Sequence, residues 1–192
     1  MIEKLREWDE SLFLWLNAQR LDVLDPVMNT LTGRYIWIPL YLLIIFMLIR
    51  TYGQTGVWYT GGLLLLIFLA DQSTSSVMKP YFERLRPCHD PRWEGMINNY
   101  SGCGGMYGFA SSHASNTFAL AMYLWLIGRE KLPLFSWMFL WAAIISYTRV
   151  YLGVHYPADI LVGAMVGMLA GLITYYAISF MMIKARREKV ES

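Results

Sequence analysis

The chain has 192 residues, of which 56% are hydrophobic and only 16% charged, whereas soluble domains carry about a quarter charged residues. With its long apolar runs, that composition excludes an ordinary soluble domain and points to a membrane protein. A net charge of +2, without a stripe of Lys and Arg interleaved with aromatics, argues against a nucleic-acid partner.

In chain order, residues 1–26 mix acids and bases around a short apolar core, SLFLWLNA. No small-residue cleavage site follows, so a signal peptide is not expected. Leu5, Trp8, Leu12 and Leu16 recur at helical spacing, the pattern of an amphipathic helix lying on a membrane surface. Residues 27–183 hold five apolar candidates for spans, at 27–50, 56–78, 113–128, 133–151 and 157–183, against about 20 apolar residues for a full crossing. A polar loop, 79–112, separates the second from the third. The small residues Gly163, Gly167 and Gly171 read as helix-packing positions. The tail, 184–192, carries the basic run KARREK, which places it in the cytoplasm. Span parity then puts 79–112 and 148–157 together on the outer face. The expected fold is all-α: a polytopic membrane helical bundle of about five transmembrane helices, with an N-terminal interfacial helix.

Two cysteines, Cys88 and Cys103, fall in the polar loop with 14 residues between them. On an oxidising outer face they can pair, and closing such a loop is worth about 3 kcal/mol in the chain-entropy model.

Three polar stretches converge on that face: KPYFERLRP at 79–87, GFASSHASN at 108–116 and TRVYLGVHYPAD at 148–159. Ionisable groups at the rim of apolar helices are costly and mark function or a satisfied partner. Lys79, Arg86 and Arg149 supply cations. The helix starts near Ser111, Ser112 and Pro157 point backbone N–H groups at the same level. Together they describe a site for a multiply charged anion, with phosphate the obvious candidate. Phosphoryl transfer needs charge neutralisation on the equatorial oxygens, which forked guanidinium groups provide. His155 is placed to attack phosphorus, with Asp159 four residues on to hold its far ring nitrogen. His113 is placed to protonate the leaving oxygen and then activate water. Read singly, these residues are snorkelling anchors, caps and surface groups; Arg84, Arg92 and His89 read as surface, headgroup or loop residues. Metal ligation by His155, Asp159, His113 and His89 is the competing reading, opposed by three nearby cations that repel a divalent ion. A third is an anion or lipid carrier without turnover.

The three stretches resemble the type 2 phosphatidic acid phosphatase superfamily, whose helical site is shared with vanadium haloperoxidases. The family pattern is K-x6-R-P, P-S-G-H and S-R-x5-H-x3-D. Lys79 through Arg86 and Pro87 meet the first motif. Arg149, His155 and Asp159 meet the third, with Thr148 where Ser is usual. The second departs: Ala110-Ser111-Ser112-His113 replaces Pro and Gly, putting a side chain at Ser112 where backbone approaches phosphate. The resemblance covers about 27–183. It implies hydrolysis of a phosphomonoester or diphosphate through a phosphohistidine, with no metal or other cofactor. It makes His155 the nucleophile, Asp159 its partner and His113 the acid/base. Lys79, Arg86, Ser111, Ser112 and Arg149 then bind phosphate. The implied partners are membrane lipids and a phosphorylated lipid substrate: undecaprenyl diphosphate or a lipid A phosphate, with phosphatidylglycerophosphate or phosphatidic acid as alternatives. The implied location is the bacterial inner membrane, site outward.

Overall fold

The computed structural model describes residues 1–191. Among these residues the architecture is helical, apart from one isolated antiparallel bridge between Leu85 and Tyr107. The apolar segment expected over 27–50 is divided. A short helix α2 (Asp25–Leu31) ends before Thr32, and α3 (Ile38–Tyr52) starts afresh. Pro39, in the first turn of α3, lacks the N–H that would continue a helix and disfavours helical backbone just before it.

Gly53 turns the chain into α4 (Gln54–Gln72), which runs on through a π-helical stretch, Ser73–Met78, into α5 (Lys79–Phe82). The π stretch has a local cause. The hydroxyls of Ser73, Thr74 and Ser75 donate to the carbonyls of Leu69, Ala70 and Asp71 at 2.7, 3.2 and 2.6 Å. Side-chain bonds to carbonyls one turn back compete with the backbone ladder. The continuous rod Gln54–Phe82 and the later Pro157–Glu188 are long and apolar enough to cross a membrane.

Helix α6 (Ser112–Gly128) is central, packed against α4, α7 (Met138–Tyr151) and α8 (Pro157–Glu191). Its contact with α8 depends on Gly163, Gly167 and Gly171. A Cβ on these would stand 2.5, 2.1 and 2.7 Å from the carbonyl oxygens of Ser111, Ser115 and Ala119. The packing role read from the sequence is therefore observed. Helix α8 continues past 183 through the basic tail. The outward sides of the bundle are apolar, with Phe46, Leu64, Phe68, Leu140, Leu169 and Phe180 all exposed.

Helix α1 (Ile2–Ala18) lies against the α7–α8 end of the bundle. Phe13 is fully buried beside Val150 and Tyr156. The Asn17 amide donates to Tyr151 O at 2.9 Å, answering a free carbonyl at the end of α7. Leu5, Trp8, Leu12 and Trp15 form its exposed side.

The loop 83–111 is closed by a disulfide between Cys88 and Cys103, with Cα atoms 5.8 Å apart. Replacing both by Ser should cost about 3 kcal/mol of stability, since the bond restricts a loop spanning 15 positions. Thermal unfolding in detergent, with and without reductant, checks this: reductant should lower the melting temperature of the native chain and leave the double variant unmoved.

Candidate active site

The helix ends meet at one place. Ser111 caps α6, its Oγ accepting from Ala114 N at 3.5 Å, and its own N–H donates to Asp159 O at 3.0 Å. The contact seen for Ser111 is thus a structural one that ties α6 to α8. Ser112, one residue on, receives Lys79 Nζ at 2.7 Å, with Thr74 Oγ1 2.9 Å away. The side chain standing where the family pattern has Gly therefore anchors the ammonium group. Thr74 lies in the π stretch that faces α6 at this point.

Arg86 is held by its backbone, N–H to Met106 O at 3.0 Å, and reaches Val154 O at 3.4 Å and His155 Nε2 at 3.2 Å through NH1. A guanidinium only donates, so Nε2 must be the unprotonated, accepting nitrogen. The ring proton then sits on Nδ1, where Asp159 Oδ2 accepts it at 3.2 Å. Asp159 Oδ2 also accepts Tyr156 N at 3.0 Å. The pair is almost wholly buried, His155 at 1% and Asp159 at 0% exposure. Burial, then the charges of Arg86, Arg149 and Lys79, push the His155 pKa well below that of a free histidine. The imidazole is thus neutral, with its lone pair turned toward the cations. Burial also lowers the pKa of Arg86, a group that nevertheless stays charged.

Arg149 donates NH1 to Thr32 Oγ1 at 2.6 Å. The Nε–H groups of both Arg86 and Arg149 are buried without a partner. Buried donors are nearly always satisfied, so two unmatched guanidinium donors beside a histidine lone pair call for the oxygens of an anion. His113 stands at the accessible edge of this cluster, near the charges of Arg149, Lys79 and Arg86.

Lys79, Arg86, Ser112, His113, Arg149, His155 and Asp159 are therefore brought together as the sequence suggested. His89 is not among them; its Nε2 contacts Gly104 O at 3.2 Å in the loop. Among the described residues no group of three or more His, Cys, Asp or Glu gathers in a metal-binding arrangement.

Three contributors escaped the sequence reading. Gly108 touches the His155–Asp159 pair: a Cβ there would lie 3.0 Å from Asp159 Oδ2 and 3.2 Å from Arg86 Cγ. Its only signal was a glycine in a glycine-rich loop. Arg84, read as a surface group, donates NH1 to Asp159 Oδ1 at 2.9 Å and NH2 to Asp9 Oδ2 at 2.6 Å. Asp9 carried no signal beyond its place on an amphipathic helix.

Known proteins resemble this chain in sequence and in fold. Residues 60–182, which contain every residue of the cluster, match the model of the PAP2 superfamily. The chain is 36% identical over 180 residues to the lipid A 4'-phosphatase of Bacteroides thetaiotaomicron, covering 92% of this chain and 79% of that protein. It is 31% identical over 166 residues to the undecaprenyl-diphosphatase of Sulfolobus acidocaldarius, covering 82% and 72%. The crystal structure of Aquifex aeolicus LpxE superposes with a TM-score of 0.65 at 28% identity, over 85% of this chain and 92% of that one. With the ordered motifs, the buried histidine–aspartate pair and these likenesses in agreement, the chain belongs to the PAP2 superfamily of phosphatases.

Proposed function

We propose that this protein hydrolyses a phosphate ester on a membrane glycolipid of the lipid A type, without a metal, by double displacement at His155. The carrying observation is the His155 Nε2 lone pair facing the guanidinium group of Arg86, with the Nε–H donors of Arg86 and Arg149 buried and unmatched. Nε2 attacks phosphorus, the ester P–O bond breaks, and His113 gives its proton to the leaving alkoxide. Asp159 steadies the imidazolium through Nδ1–H. His113 then takes a proton from water. The resulting hydroxide attacks phosphorus, the P–N bond breaks and inorganic phosphate leaves. Lys79, Arg86 and Arg149 neutralise the phosphoryl oxygens throughout.

The lipid A reading rests on the relative with the highest identity reported above and on its coverage of both chains. Undecaprenyl diphosphate is the second reading, favoured by the archaeal relative. The expected topology puts the site on the outer side of the inner membrane, with the basic end of α8 in the cytoplasm and the exposed side of α1 in the headgroup layer. Phosphate release from purified protein in detergent, with a chelator present, tests both substrate readings. Turnover of a lipid A precursor above undecaprenyl diphosphate is expected. The reverse order selects the second reading, and activity that requires an added divalent ion overturns the metal-free mechanism.

An apolar cavity of about 560 Å³ suits the lipid tail. Its lining includes Tyr41, Ile44, Gly61, Leu64, Asn116 and Leu120. Asn116 lies one helical turn from Ser112, so the cavity begins just below the site. A Cβ on Gly61 meets open space. Gly61→Leu should therefore fold normally yet lower kcat/KM for the long-tailed lipid by roughly tenfold, the loss of about 1.4 kcal/mol of tail contact. A water-soluble phosphomonoester should be hydrolysed as before. Equal losses on both substrates would remove the cavity from the tail's path.

A further inference from the structure

The outer face of α1 gives no reason for a carboxylate on its inner face, yet Asp9 is directed at the catalytic end of the bundle. Asp9 Oδ1 accepts from Ala158 N at 2.8 Å, in the first turn of α8 and next to Asp159. Asp9 Oδ2 binds Arg84 NH2, and Arg84 NH1 binds Asp159 Oδ1. The guanidinium carbon lies 4.0 Å from the centre of the Tyr156 ring, a favourable stacking distance. Arg84 is thus fixed on three sides, and both of its terminal nitrogens are committed to carboxylates rather than turned toward the phosphate donors.

The pattern at Asp159 gives this bridge its meaning. Oδ2 serves His155 Nδ1 and Tyr156 N. Among the described residues Oδ1 has a single hydrogen-bond partner, Arg84. A carboxylate with no exposure and one empty oxygen has two escapes: it takes up a proton, or it rotates toward another donor. Either loosens its hold on the Nδ1 proton, and with it the orientation of Nε2. We infer that Arg84 and Asp9 are positioning residues for the His155–Asp159 pair, making helix α1 a part of the catalytic assembly and not only a membrane anchor.

This inference rests on His155 being the nucleophile. It also separates Asp9 from its neighbour Glu10, which pairs with Arg92 at 2.8 Å and, among the described residues, bonds neither Arg84 nor Asp159. Glu10 shares the docking of α1 without sharing the bridge.

The test uses the full chain in detergent on a lipid A precursor, with kcat and KM measured separately and folding followed by thermal unfolding. Arg84→Gln should lower kcat roughly 10- to 100-fold, by analogy with the loss of outer partners that orient metal-bound residues, with KM within about threefold. Arg84→Lys should fall between, because one ammonium cannot span both carboxylates. Asp9→Asn should lower kcat by roughly 3- to 10-fold, and the Asp9→Asn/Arg84→Gln double variant should fall no further than Arg84→Gln alone, since both act through one path. Glu10→Gln should leave kcat unchanged. A rise in KM at constant kcat in Arg84→Gln would make Arg84 a headgroup contact and overturn the inference. So would a kcat within about twofold of wild type, or a loss in Glu10→Gln equal to that in Asp9→Asn. A His155→Ala control separates the two levels. Activity surviving in it overturns the nucleophile assignment and this inference together. Activity lost in it but retained in Arg84→Gln overturns this inference alone.

Discussion

Replacing His155 by Ala should lower phosphate release by roughly 10⁴-fold or more, the scale on which an enzyme loses its nucleophile while keeping its binding groups. The expectation follows from the position of Nε2, the one ring nitrogen free of a proton, 3.2 Å from Arg86 NH1. His155 is only 1% exposed, and His113, the neighbouring group able to take a proton from water, acts in the proposed mechanism only after the P–N bond has formed. KM should change far less than kcat, since Lys79, Arg86 and Arg149 remain. The same variant should fail to acquire label from a substrate carrying radioactive phosphate when the reaction is quenched in base, where a P–N bond survives. Wild-type protein should be labelled in proportion to its active fraction. A labelled His155→Ala protein, or one with near-normal turnover, would sink the phosphohistidine mechanism.

The second large effect is on the scaffold. Gly167→Leu should destabilise the protein by more than about 3 kcal/mol, at or beyond the upper end of overpacking costs. The ideal Cβ would lie 2.1 Å from Ser115 O and 2.9 Å from Ser115 Cα. Those are backbone atoms in the first turn of α6, which no rotamer change can move aside. The helices must separate, and α6 carries Ser112 and His113 while α8 carries Asp159. Activity should therefore disappear with stability. Thermal unfolding in detergent measures the first and phosphate release the second. A melting temperature equal to wild type would show that the α6–α8 contact adapts more freely than its geometry allows. Gly61→Leu is the natural companion, being a glycine on a helix with open space in front of it.

Much of the candidate site was legible because its parts are local. His155 and Asp159 stand four residues apart and meet across the first turn of α8. Ser111 precedes an apolar helix and caps it. The glycines at 163, 167 and 171 lie on one face because four residues make about one turn. Lys79 and Arg86 carried the family spacing and do reach the cluster. Less legible was the start of α3, where a single span drawn over 27–50 concealed a stop at Leu31. Pro39 was the available signal, outweighed there by hydropathy. The π stretch after Gln72 was also concealed, since four hydroxyl residues in a row read equally well as an ordinary polar helix end.

The sequence by itself determined a helical membrane phosphatase of known pattern, which residue types make up the candidate site, and which lie close through helical periodicity. Only the tertiary structure decided how the arginines divide their work. Arg84 and Arg86 are two residues apart in one polar loop and look alike on paper. Folded, one meets Asp159 Oδ1 and the other faces His155 Nε2, the two ends of the same buried pair. Likewise, Asp9 joins Arg84 across a separation of 75 residues. No periodicity encodes such contacts. They arise because burial leaves each carboxylate oxygen and guanidinium nitrogen to find whatever partner the packed helices bring within reach.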